Sequence, residues 1–315
     1  MSFLTTRRTL GFKIEGTPYV KETLSAADFD LSAYNISYTP EVPVVERKIV
    51  RGDFGKEVSI PGKRTVTVSF SVDCQEGVAA ATEPSYYKCL RACGLKMTKY
   101  ESRGIGLKAN SDYSNVPATI EIVEKNEGTT PTQLVIAASG CMGNPKYVVD
   151  SIGTPLRYDF EFKGILDSIA DRAFGSILDP TGFMINEPDS VMGISVTAFD
   201  EILTLNKVTI DLGNDVQLFT DPSRVQGVSG AHVVGRSPKI DIDPDLLDIA
   251  SQDFFAKFID KDVGSFNLTL GDRTTISASV QISKTYAPGD REGHVVNNIT
   301  LNVTRDNIEI LQGTK

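Results

Sequence analysis

Apolar and polar residues alternate strictly along one stretch of this chain, GKRTVTVSFSVDC, where Val66, Val68, Phe70 and Val72 fall on one side and Thr65, Thr67, Ser69 and Ser71 on the other. A period of two predicts a half-buried strand. After a small-residue loop, PSYYKCLRACG sets Tyr87, Leu90, Arg91 and Gly94 at three- and four-residue spacing. Pro84 suits a first helical turn and Gly94 a left-handed C-cap, so a short helix is predicted there. Upstream lie a strand over residues 35–38 and a long charged loop, EVPVVERKIVRGDFGKEVSIP, too polar and punctuated to be core. Downstream, residues 118–123 and 133–138 read as a hairpin turning at Gly128 and Pro131. Leu156, Tyr158, Phe160 and Phe162 then alternate with Arg157, Asp159, Glu161 and Lys163, giving a strand with one apolar and one charged face. Residues 96–115 carry no clear pattern, and residues 1–34 read as a polar arm.

The second half repeats this order. NKVTIDL answers the strand over 35–38 and is followed by a loop, GNDVQLFTDPSRVQGVSGAHV. Gly235 and Arg236 answer Gly62 and Lys63, KIDID answers the alternating strand, and FFAKFID answers YYKCLRACG. Ile276, Ala278, Val280 and Ile282 alternate against polar residues, as do Ile299, Leu301 and Val303. The expected organisation is an arm (1–34), a first β domain (35–165), a Pro- and Gly-bearing linker (166–195) and a second β domain (196–315), related by internal duplication.

Composition narrows the chemistry. The chain has 315 residues, a formal net charge of -9 and no tryptophan. No basic cluster interleaved with aromatics is present to grip phosphates. No apolar run is long enough to span a bilayer and no signal peptide is evident, so synthesis in a cytoplasm is expected. Cys74, Cys89, Cys93 and Cys141 have neither disulfide-framework spacing nor a histidine partner for a metal. His232 and His294 fall in segments read as loops, without a nucleophile motif. DIDPDLLD lacks the glycine and the final glutamate of a calcium loop. The pair Asp159 and Glu161 reads as one polar strand face rather than acid/base machinery. No enzyme activity and no cofactor are expected.

GTPYVKETLSAADFDLSAYNISYTP, the ERKIVRGDFG loop, GKRTVTVSFSV, PSYYKCLRACG and LRYDFEFKG, taken in order, resemble the major tail tube proteins of long-tailed, siphovirus-type bacteriophages. The likeness covers roughly residues 16–165, and the second half follows through its similarity to the first. The resemblance implies a mainly β fold: two tandem β-sandwich domains, each with a short flanking helix, lending strands to an intermolecular β-barrel ring. It implies a virion protein assembled in the host cytoplasm, whose rings of three chains, or six, stack into a conduit for ejected DNA. Its partners would be further copies of itself, the tape measure, tail tip and tail terminator proteins, and DNA that passes without specific binding. Glu46, Arg47, Lys48 and Arg51 are the candidates for inter-ring or inter-subunit contact. Two polar strand faces are candidates for the lumen: Thr65, Thr67, Ser69 and Ser71, and Arg157, Asp159, Glu161 and Lys163. A tail terminator, a capsid-decoration protein and a carbohydrate-binding tail module are the alternative readings.

Overall fold

A computed structural model describes residues 3–46, 59–74, 83–100, 104–109, 116–126, 132–151, 153–173, 193–247, 253–270, 274–291 and 293–312. It is mainly β. The first half holds β1 (Phe3–Ile14), β2 (Ala33–Glu41), β3 (Val44–Val45), β4 (Ile60–Pro61), β5 (Thr65–Asp73), α1 (Tyr87–Ala92), β6 (Leu95–Tyr100), β7 (Gly104–Ala109), β8 (Ala118–Asn126), β9 (Thr132–Val149) and β10 (Arg157–Ala173). The second holds β11 (Ile194–Ala198), β12 (Glu201–Leu203), β13 (Val208–Asp211), β14 (Asn214–Thr220), β15 (Val228–Arg236), β16 (Lys239–Ile242), α2 (Phe254–Ile259), β17 (Val263–Leu270), β18 (Thr274–Arg291) and β19 (His294–Gln312).

One 15-stranded sheet joins the halves. In the first half the neighbours run β2-β5-β10-β9-β8-β1. In the second they run β13-β16-β19-β18-β17-β11. These are the same spatial orders of strands met in the same chain order. Each half also inserts a hairpin between its first two strands of that order, β3–β4 in one and β14–β15 in the other. The halves meet along two seams: β9 pairs antiparallel with β13, Val149 opposite Val208 and Tyr147 opposite Ile210, and β7 pairs antiparallel with β19, Leu107 opposite Ile310.

Alternation explains which side faces inward. One rung runs from Val72 through Tyr158, Tyr147, Ile210, Ile240 and Leu301 to Ile282. All seven side chains belong to a single buried cluster. Aromatic rings stack along the first half of it, with Phe70 and Phe160 centroids 5.3 Å apart. The strands β9 and β10 are long enough to turn the sheet back over this apolar face. Their register slips between Lys163 and Ile165 and again between Leu166 and Ser168, the irregularity that bends a paired strand. Gly164 sits at this bend, where a Cβ would lie 2.3 Å from the Cys141 sulfur. β8 and β1 continue the returning layer, so that Phe12 meets Phe162 edge-on at 5.3 Å.

Several stretches differ from the reading of the sequence. Residues 3–14, inside the expected arm, form β1, with Leu10 and Phe12 buried in the core. The first residues of the expected linker, 166–173, continue β10, while residues 174–192 lie outside the described residues. The unassigned stretch at 96–115 holds β6 and β7, and β7 pairs with β19. The segment GNDVQLFTDPSRVQGVSGAHV is largely hairpin, not loop. His232 is accordingly a residue of β15, and His294 begins β19.

Candidate functional site

The side of the sheet opposite the core is largely polar, with Val148 and Ile202 among its apolar residues. On β5 and β10 the two sets of candidate residues fall opposite one another: Asp159 on Ser71, Glu161 on Ser69 and Lys163 on Thr67. They are therefore one face, not two alternatives. Thr65 pairs with Ile165 at its upper border and is buried, as is Ser71, while Glu161 is exposed. The same face extends through Ser37, Thr39 and Glu41 on β2. In the other direction it passes through Asn144 and Lys146 on β9, Asp211 on β13, Lys239 and Asp241 on β16, and Thr300 and Asn302 on β19.

Hydrogen bonds tie neighbouring strands across this face. The Ser37 and Ser69 hydroxyls are 2.7 Å apart. Ser71 donates to Asp159 Oδ1 at 2.7 Å, and Arg157 Nε stands 3.4 Å from the same oxygen. Asn144 Nδ2 donates to Asp211 Oδ1 at 2.7 Å, and Lys146 Nζ lies 3.2 Å from Asp211 Oδ2. Thr300 donates to Asp241 at 2.7 Å. A trough of ≈ 270 Å³ lies on the second-half part, lined among others by Lys207, Thr209, Asp241, Lys284 and Asn298. Carboxylates and lysines alternate here, so the face is hydrated and mixed in sign. Such a surface offers a polyanion no continuous basic track.

Among the described residues β2, β12, β1 and β6 each pair on one side only. Among the described residues, β2 pairs only with β5, and the last third of β18, from Ala287 to Arg291, pairs only with β19. Inside the chain, the matching edges are the ones that meet: β13 holds in the second half the place of β2, and β9 in the first half the place of β18.

That internal joint is reinforced from above. The β14–β15 hairpin leaves the second half and lies over β9, burying Val216, Ala231 and Val233 with Met142. Its far end reaches the first half, where the Arg64 amide donates to the Gln226 carbonyl at 2.9 Å. At its base, Arg236 donates through Nη2 to the carbonyls of Cys93 and Gly94, both at 3.1 Å, and through Nε to Asn214 at 2.7 Å. Those carbonyls end α1, where a cation also meets the negative end of the helix dipole. Near mid-hairpin, the Tyr19 hydroxyl and His232 Nδ1 share a hydrogen bond of 3.0 Å, and partial burial holds the imidazole below its usual pKa. Sequence reasoning noticed Arg236 only as a counterpart in a repeat; what it touches depends on a fold between distant segments.

The charged loop is described only in part. Glu46 is exposed, and Arg47, Lys48 and Arg51 lie outside the described residues. The flanking strands β3 and β4 leave Val44, Val45 and Ile60 more than half exposed. All four cysteines are buried, and burial raises the thiol pKa of Cys89, Cys93 and Cys141. Among the described residues no cluster of His, Cys, Asp or Glu could hold a metal, and no helix is long and apolar enough to cross a membrane. No protein-family model matches the chain, and no curated protein matches it.

Proposed function

We propose that this chain is a structural subunit that closes into rings through its sheet edges and stacks into a hollow tube, as the major tail tube proteins of long-tailed phages do. The observation that carries the reading is the internal joint. Two halves with the same strand order already meet edge to edge through β9 and β13, in one continuous sheet, and among the described residues the equivalent edges, β2 and the last third of β18, have no further partner strand. Repeating the joint between chains propagates the sheet, and closing it removes the edges that would otherwise template aggregation. An internal duplication accounts for the repeated order, and three chains then supply the six units of a ring.

In that ring the polar face, including Thr67, Ser69, Asp159, Glu161 and Lys163, lines the lumen and the apolar face packs under the outer layer. A mixed, net-acidic lining lets DNA slide without adhering. The partners of the tube are further copies of the chain, with tape measure, tip and terminator proteins at its axis and ends. Negative-stain microscopy with mass photometry tests the reading. Rings of three chains, or tubes built of them, are expected; rings of six retain the tube and remove the duplicated geometry. A chain that stays monomeric even when tail tips are added overturns it.

A further inference from the structure

The joint inside the chain carries a clamp, and the other end of the chain carries the parts of a second one. Superposing the ladders of the two halves sets Val68 on Ile240 and Tyr38 on Ile210. That alignment places Arg64 on Arg236, one residue beyond the Lys63 suggested by the order of the sequence alone. The helices superpose as well: α1 and α2 are both six residues long, and each is followed by a left-handed residue in its second position past the end, Gly94 and Lys261.

In the first half the end of α1 is covered, with Ala92, Cys93 and Leu95 buried and Arg236 donating to the carbonyls. In the second half the same positions are open. Ile259, Asp260 and Asp262, the counterparts of Ala92, Cys93 and Leu95, are exposed, Ile259 by 57%, and Phe258, Lys261 and Val263 are exposed beside them. The counterpart of the covering hairpin is β3–β4. Its Val44 and Pro61 are exposed, whereas their counterparts in β14–β15, Val216 and Val233, are buried. Arg64 is exposed, and its guanidinium has no hydrogen bond or ion pair among the described residues.

We infer that the β3–β4 hairpin docks on the C-terminal end of α2 in a second copy of the chain, with the Arg64 guanidinium on the carboxylates of Asp260 and Asp262. The inference rests on the assembly reading above and specifies its contact. The occupant is a second copy because the first copy shows the equivalent hairpin seated on the equivalent helix end. Chemistry differs at two positions in a consistent way. Val42 stands where Asn214 stands, adding apolar surface to meet Ile259 and Val263. Lys261 stands where Gly94 stands, and Gly94 is the position at which a Cβ would lie 2.7 Å from Arg236 Nη2. The Lys261 carbonyl, in the place of the Gly94 carbonyl, already accepts from Gln281 Nε2 at 3.0 Å, which leaves the flanking carboxylates as the partners of a guanidinium.

The test is charge reversal with rescue, read by mass photometry at a concentration where the wild-type chain forms rings. Arg64→Glu is expected to lower the ring fraction about tenfold, since it sets like charges across the contact. Asp260→Arg with Asp262→Arg is expected to do the same, and all three together to restore rings. Thermal melts of the monomers should coincide, because the three residues are exposed. Rings in Arg64→Glu at the wild-type level, or no recovery in the triple variant, overturn the docking alone. A wild-type chain that forms no ring under any condition overturns the assembly reading and the docking with it.

Discussion

At the scale of residues, the most consequential side chains are those that fasten distant segments together. Glu15 is buried, and its carboxylate accepts from the Gly140 amide at 2.7 Å, the Tyr19 amide at 2.7 Å and the Thr119 hydroxyl at 3.1 Å. Burial nevertheless raises its pKa above the ordinary carboxylate value, and the carboxylate of Asp167 adds to the rise. A carboxyl with a raised folded pKa binds more protons in the folded than in the unfolded chain between the two pKa values. Its contribution is complete below the unfolded value and is lost as the pH rises through the folded one. Melting temperature should therefore gain from Glu15 on mild acidification. Glu15→Gln, measured from about pH 5 to about pH 7, is expected to flatten that gain. An unchanged slope would mean that the titration lies elsewhere, Asp167 being next in line with its own burial-raised pKa.

At the scale of elements, strands with regular alternation were legible and strands without it were not. β5 and the first part of β10 announce themselves because their outward residues are all polar. β1 carries Leu10 and Phe12 in the right alternation, but two arginines and three threonines around them read as an arm. The β14–β15 hairpin is broken by Gly, Asp and Pro at short intervals, so local pattern gives a loop; its burial comes from Met142 and neighbours far away in sequence. The candidate polar face was legible as two strands. That they form one surface depends on register between them, which no local stretch encodes. Met142→Ala should test how firmly the hairpin is held. A loss of about 2–5 kcal/mol in denaturant unfolding is expected for a buried methionine, with amide exchange in β14–β15 accelerated first. Unaltered exchange there would show that Arg236 and the backbone contacts hold the hairpin without the apolar cluster.

At the scale of the whole molecule, the two halves share a sheet, a core and a clamp. Val208 and Ile210 of the second half are in the same buried cluster as Tyr147 and Phe160 of the first, so neither half can expose its joint without disturbing the other. Calorimetry on the dilute monomer should give a single transition with matching calorimetric and van't Hoff enthalpies. Two resolved transitions would show that the β9–β13 and β7–β19 seams are together too weak to couple the halves.

For the ring proposed above, the β9–β13 joint also bears on the speed of assembly. A ring built from chains of this kind has every second seam closed before any two molecules meet, at the effective concentration that a tether imposes. Nucleation then needs fewer than half the encounters that separate single units would need, two joining three chains where five would join six units. Its rate falls off less steeply on dilution, and a scarce subunit can still start a tube.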